Sequence, residues 1–111
     1  MTRQVRHLET FNLHTLSNEI TEEYRNFVVA SANDHVLRMS VMNGEFRWHS
    51  HPDSDEIFIV LEGEFHIDLE GKSEALGPGD CFVVSKGTLH RTRSVGRTVN
   101  LTIEHERPGE S

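Results

Sequence analysis

Only one cysteine, Cys81, is present, so no internal disulfide can staple the fold. Long apolar runs are missing too. The longest stretch of large apolar residues, Ile57 to Leu61, is far short of the roughly 20 needed to cross a bilayer. Positive charge is in deficit: the net charge is −7 with histidines neutral, which leaves no general electrostatic case for binding nucleic acid or an anionic membrane. No linker, low-complexity block or internal repeat divides the 111 residues, a length that suits one domain with a single core. The start, "MTRQVRHLETFNLH", has no apolar stretch of signal-peptide length, and a cytoplasmic protein is the expectation.

Helical periodicity is also scarce. Leu13, Leu16, Ile20 and Tyr24 recur at helical spacing and predict one short helix within residues 1–24. From Arg25 onward short β-prone segments dominate: "FVVA", "HVLRMSVM", "EIFIVLE", "EFHIDLE", "CFVV", "HRTRS" and "RTVNLTIEHE". The turn signals "NGE", "EGE", "EGK" and "LGPGD" separate them. Strands so spaced predict an antiparallel sandwich or small barrel over 25–105, with a flexible tail over 106–111. Period-two alternation assigns faces. Phe65, Ile67 and Leu69 are expected inside, with Glu64, His66 and Asp68 in water; Val99, Leu101 and Ile103 inside, opposite Thr98, Asn100, Thr102 and Glu104. "EIFIVLE" is apolar on both faces after Glu56, so it is either buried on both sides or covered by a partner subunit.

What the sequence has in abundance is histidine, eight in all, which directs attention to metal ligands. In "RWHSHPDSDEIFIVLEGEF", His49 and His51 share strand parity, and a hairpin through "PDSD" would bring Glu56 back beside them. His90 heads a later strand after "SKGTL". Taken singly, each has an ordinary explanation: an exposed His-x-His pair, a solvated glutamate, a turn histidine. Together, three imidazoles and one carboxylate can hold a divalent transition metal and leave coordination positions open. Glu56 directly precedes "IFIVL", where a carboxylate facing a barrel interior needs a partner to offset desolvation.

Arg47 has the parity of the two histidines and is the candidate carboxylate or phosphate clamp for a substrate, the ordinary alternative being a surface arginine at the barrel mouth. Phe46 and Trp48, of opposite parity, are expected to pack between sheets or against a second subunit. Arg91 and Arg93 are read as outward, solvated charges. Met39, Met42 and Cys81 are read as packing residues, and His35 and His66 as residues away from the site.

The stretch from Gly44 to Gly63 resembles the first motif of the cupin superfamily: a glycine, a His-x-His pair, a glutamate and a second glycine. Gly79 to Ser94 resembles the second motif, a glycine, a Pro-x-Gly turn and a histidine, with Ser85 in place of the proline and Ser94 in place of the usual asparagine. The short spacer between them, Glu64 to Pro78, is similar to that of small single-domain, mannose-6-phosphate-isomerase-like cupins. The resemblance implies an all-β fold, the antiparallel double-stranded β-helix or jelly-roll barrel, and a homodimer. It implies His49, His51, Glu56 and His90 as ligands of one divalent transition metal: iron, manganese, nickel, zinc or copper. It is compatible with a dioxygenase or an isomerase or lyase acting on a small polar metabolite, and equally with a non-catalytic small-molecule-binding or sensing module that carries a structural metal.

Overall fold

The computed structural model describes residues 4–107. One helix, α1 (Leu13–Asn18), precedes six strands: β1 (Arg25–Ala32), β2 (His35–Met42), β3 (Glu56–Leu69), β4 (Lys72–Leu76), β5 (Cys81–Val84) and β6 (His90–His105). All pairings are antiparallel, in the order β1-β2-β6-β3-β4, with β5 pairing the first residues of β3 on the same edge as β4. This is the expected all-β barrel with one short helix. No helix among the described residues is long and apolar enough to cross a membrane.

One expected turn, and one expected break between segments, are continuous strand instead. "EIFIVLE" and "EFHIDLE" are one continuous strand, β3, and "HRTRS" and "RTVNLTIEHE" are likewise one strand, β6. The two pair from Ile57↔Ile103 to Leu69↔His90, with register breaks on both sides of Glu62. Bulges of this kind bend a strand and let one pair serve both walls of a barrel. Gly63 lies at the bend, with φ +88°. A Cβ there would fall 2.5 Å from the Arg97 carbonyl oxygen and 2.9 Å from the Thr98 methyl. The "EGE" glycine therefore signals close strand approach rather than reversal.

Two apolar clusters result. Inside the barrel, Met42, Phe58, Val60, Phe65, Ile67, Leu76 and Val84 pack together. On the outer face, Val29, Met39, Val41, Val99 and Leu101 meet Ile20, Leu13 and Leu16 of the N-terminal segment. The helix is shorter than its periodicity predicts because the barrel competes for its end. Asn12 caps the start, its Oδ1 accepting from Thr15 N. After Asn18, the Arg97 guanidinium takes the Ser17 and Ile20 carbonyls, and Tyr24 lies exposed rather than on a helical face.

The alternation identified the two faces of β6 but not which face meets water. Thr98, Asn100, Thr102 and Glu104 are all buried, because barrel closure turns that face inward. Asp68, expected in water, is buried as well. Arg91 and Arg93 are not simply solvated. They converge on Asp68 Oδ2 at 2.9 and 2.8 Å, Ser73 donates to Oδ1, and Trp48 stacks outside on Arg91 at 5.1 Å. The expected tail from 106 is tied at its start, where Glu106 N donates to the Asp34 carbonyl and Arg107 pairs with Glu104. Residues 108–111 lie outside the described residues.

Two outcomes follow. Gly63→Ala is expected to lose at least about 2 kcal/mol in urea denaturation, from left-handed backbone strain plus overpacking. A loss near zero would mean that this glycine does not set the bend. The hydrogen bond from Arg93, and then those from Ser73 and Arg91, overcome burial and hold the Asp68 carboxyl below the usual carboxylate range. Its stabilisation is therefore complete above the unfolded value of about 4 and is lost as the pH falls through the lower folded value. Asp68→Asn should cost about 2 kcal/mol at pH 7, and its gap from wild type should narrow as the pH is lowered from about 4 toward 2. A gap independent of pH would show that Asp68 acts by packing alone.

Candidate metal centre

The segment between β2 and β3 is not the hairpin partner of β3 that the sequence predicts. It runs beside the start of β6 through the isolated bridges Glu45↔Arg93 and His49↔His90. His49 N donates to the His90 carbonyl and His90 N to the His49 carbonyl, both at 2.9 Å. Further on, Gly87 N donates to the His51 carbonyl and Lys86 N to Asp55 Oδ1, both at 2.8 Å. The "SKG" turn is thereby fastened to the loop that carries His51. Glu56 opens β3 and is fixed by its pairing with Val84 of β5.

All four expected ligands converge. The ring centroids of His49, His51 and His90 are 4.4 to 5.8 Å apart, and each ring offers a nitrogen within 4.8 Å of the other two. Glu56 Oε1 lies 3.3 Å from His51 Nε2 and 3.6 Å from His90 Nε2. The orientation of two rings is set from behind. His49 Nδ1 lies 2.8 Å from the Arg47 carbonyl, and His90 Nδ1 lies 2.8 Å from the Thr88 carbonyl. A carbonyl only accepts, so Nδ1 carries the hydrogen in both rings and the Nε2 lone pairs point inward. His90 Nε2 and Glu56 Oε1 are buried with no hydrogen-bond partner. Buried donor atoms left in this way are costly in a dry interior and suit a cation placed among them.

The electrostatics agree. Burial lowers the His49 and His51 pKa values, which keeps those rings neutral as ligands must be. For Glu56, burial opposes the charge, but the neighbouring His90 and His51 outweigh it and hold the carboxyl below its ordinary range. His90 is raised: burial opposes protonation, and the adjacent Glu56 more than compensates.

Glu104 was not identified by the sequence reading. It lies on the rung next to Glu56, as the pairing of Ile57 with Ile103 requires, and joins His51 and Glu56 in a second cluster of possible ligand atoms. Burial, and then the Glu56 charge, push it up to about 7 even with Arg107 at 2.8 Å. Only the register of two strands distant in sequence reveals this pair. A third cluster, Asp34, His35 and His105, is wholly exposed and lacks any buried support.

His49, His51 and Glu56 line a cavity of about 590 Å³ that opens to solvent. Arg47 is on its wall but exposed, its guanidinium 5.8 Å from the Phe46 ring. Phe46 also lines the cavity, edge-on to His49 at 5.3 Å, and so does not pack between sheets as expected. Parity failed here because residues 46–48 are not regular strand.

Known proteins share this architecture. A family model described as a cupin domain matches residues 37–103. YdbB of Bacillus subtilis is 52% identical over 96 residues, covering 86% of this chain and 85% of YdbB. A cupin-2 domain-containing protein from Shewanella frigidimarina superposes with a TM-score of 0.82 at 29% identity, covering 86% of this chain and 94% of that one. A Neisseria meningitidis protein superposes at 0.80 with 27% identity, over 88% and 100% of the two chains. The match is to the cupin domain at large. With the family model spanning more than half its length, the chain belongs to the cupin domain family.

Proposed function

We propose that the protein binds one divalent transition metal through His49, His51, Glu56 and His90 and presents it to a small polar metabolite in the barrel lumen. The observation that carries this reading is the pair of Nδ1–carbonyl hydrogen bonds that aim His49 and His90 inward, toward the unpartnered Glu56 oxygen. When bound, such a metal polarises ligand oxygens and acidifies water, and iron would add oxygen chemistry. The chain itself orients the imidazoles, keeps them neutral, and walls the site with Phe58 on the apolar side and Arg47 at the mouth. The solvent-open cavity favours a ligand-accepting role over a purely structural metal. A dioxygenase or an isomerase would use the same donors.

His49→Ala and His90→Ala are each expected to reduce bound metal from near one equivalent to a small fraction, measured by elemental analysis of protein purified without chelators. Undiminished metal in both variants would overturn the ligand assignment. Oxygen uptake or carbonyl conversion in a metabolite screen separates an enzyme from a binding module.

We also propose that two copies pair through the outer face of β5, β3 and β6. Val83 is 53% exposed there, beside exposed Cys81 and half-buried Ile57, Ile59 and Ile103, which the strand register joins into one apolar strip. A strip of this kind is self-complementary about a two-fold axis. Light scattering should give a dimer for the wild type and a monomer for Val83→Asp; a monomeric wild type would refute the pairing.

A further inference from the structure

The strand register arranges the lumen in rows. Val36 and Glu104 share one row, with Glu56 beside Glu104. Arg38, Thr102 and Phe58 form the next, and Ser40, Asn100 and Val60 the one below, reaching Asn26 on β1. Arg38 thus lies one row beneath the carboxylates of the metal centre. Its NH1 donates to Asn26 Oδ1 at 3.0 Å, which orients the guanidinium along the cavity wall. In the same two rows, Asn100 Oδ1 and Thr102 Oγ1 are buried without a hydrogen-bond partner in the protein. An amide oxygen can only accept, so it calls for a donor such as a ligand hydroxyl. The charge of the cavity has a clear sign. Arg38, Arg47 and Arg107 line it with the single carboxylate of Glu56, Glu104 being paired with Arg107, and a divalent cation would add to the excess.

We propose that the lumen selects a small hydroxylated oxyanion, its anionic group held by Arg38 and its hydroxyl groups donating to Asn100 Oδ1 and Thr102 Oγ1, with the opposite end at the metal centre. The placement of that opposite end rests on the metal reading above; the anion site does not. A planar guanidinium recognises a carboxylate or a phosphate by the same paired hydrogen bonds. Arg47, the residue expected from the sequence, is exposed at the mouth, where the charge can attract the anion without the desolvated contact that fixes it.

The test uses the full chain loaded with Co(II), titrated with glycerate, glycerol 3-phosphate and glycerol, and followed by thermal shift and by the visible Co(II) spectrum. One of the two anions should bind and raise Tm, and which one does so separates carboxylate from phosphate; glycerol should have no effect at the same concentrations. Arg38→Met should weaken the anion roughly 10- to 100-fold with Co(II) stoichiometry unchanged, the range expected for a hydrogen bond to a charged group. Arg38→Lys should retain part of the affinity, and Thr102→Val should lose roughly 5-fold, as for a neutral hydrogen bond. Anions that bind no better than glycerol, or equal binding to wild type and Arg38→Met, would overturn the inference. Arg38-dependent anion binding in a chain that takes up no Co(II) would support the anion site and reject the metal reading.

Discussion

Two backbone hydrogen bonds between His49 and His90 hold the site together. They extend to the first residue of β6 the pairing with the irregular segment after β2 that the Phe46 N–Thr92 O and Ser94 N–Gly44 O bonds begin. Each histidine then uses its own Nδ1 to grip a carbonyl two residues before it, Arg47 for His49 and Thr88 for His90. Main-chain pairing thus fixes where the rings are, and side-chain to main-chain bonds fix where they point. Glu56 arrives independently, placed by the pairing of β3 with β5. Few rotameric choices remain for the donor atoms, and that preorganisation is what a selective site needs.

The barrel interior is divided. One end is filled by Phe65, Ile67, Leu76 and their neighbours and is closed to water. The other is lined by carboxylates, amides, hydroxyls and guanidinium groups, and there Glu56 Oε1, Asn100 Oδ1 and Thr102 Oγ1 have no hydrogen-bond partner in the protein. Leaving acceptors unpaired lowers stability. The apolar end, the outer cluster under α1 and the Asp68–Arg91–Arg93 pairing offset that loss. Departures from local consistency of this kind gather at functional positions.

The β-rich architecture was legible because alternation and turn residues are local signals. The four converging residues of the candidate site were legible because each lies in a recognisable motif. What the sequence concealed is what depends on pairing between distant strands. Gly63 looks like a turn glycine until the Arg97 carbonyl is seen against it. Thr98 through Glu104 look like a solvent face until the barrel closes over them. Glu104 is an unremarked polar residue until the register sets it beside Glu56. Arg47 drew attention through its strand parity with the histidines; Arg38 is near the site only through β6.

The continuity of β3 and β6 through the bend has a consequence for how the protein is made. The two strands are separated by β4 and β5 in the chain, and their mutual ladder runs the length of both. Such non-local pairing must overcome loop-closure entropy before it is rewarded, which slows folding relative to helical proteins of similar length. On a ribosome, His49, His51 and Glu56 emerge well before His90. A growing chain therefore displays only part of the candidate donor set, without the geometry that pairing with β6 gives it. The full set of four donors exists only in the closed barrel, so on the metal reading proposed above, selection among ions begins once β6 is in place.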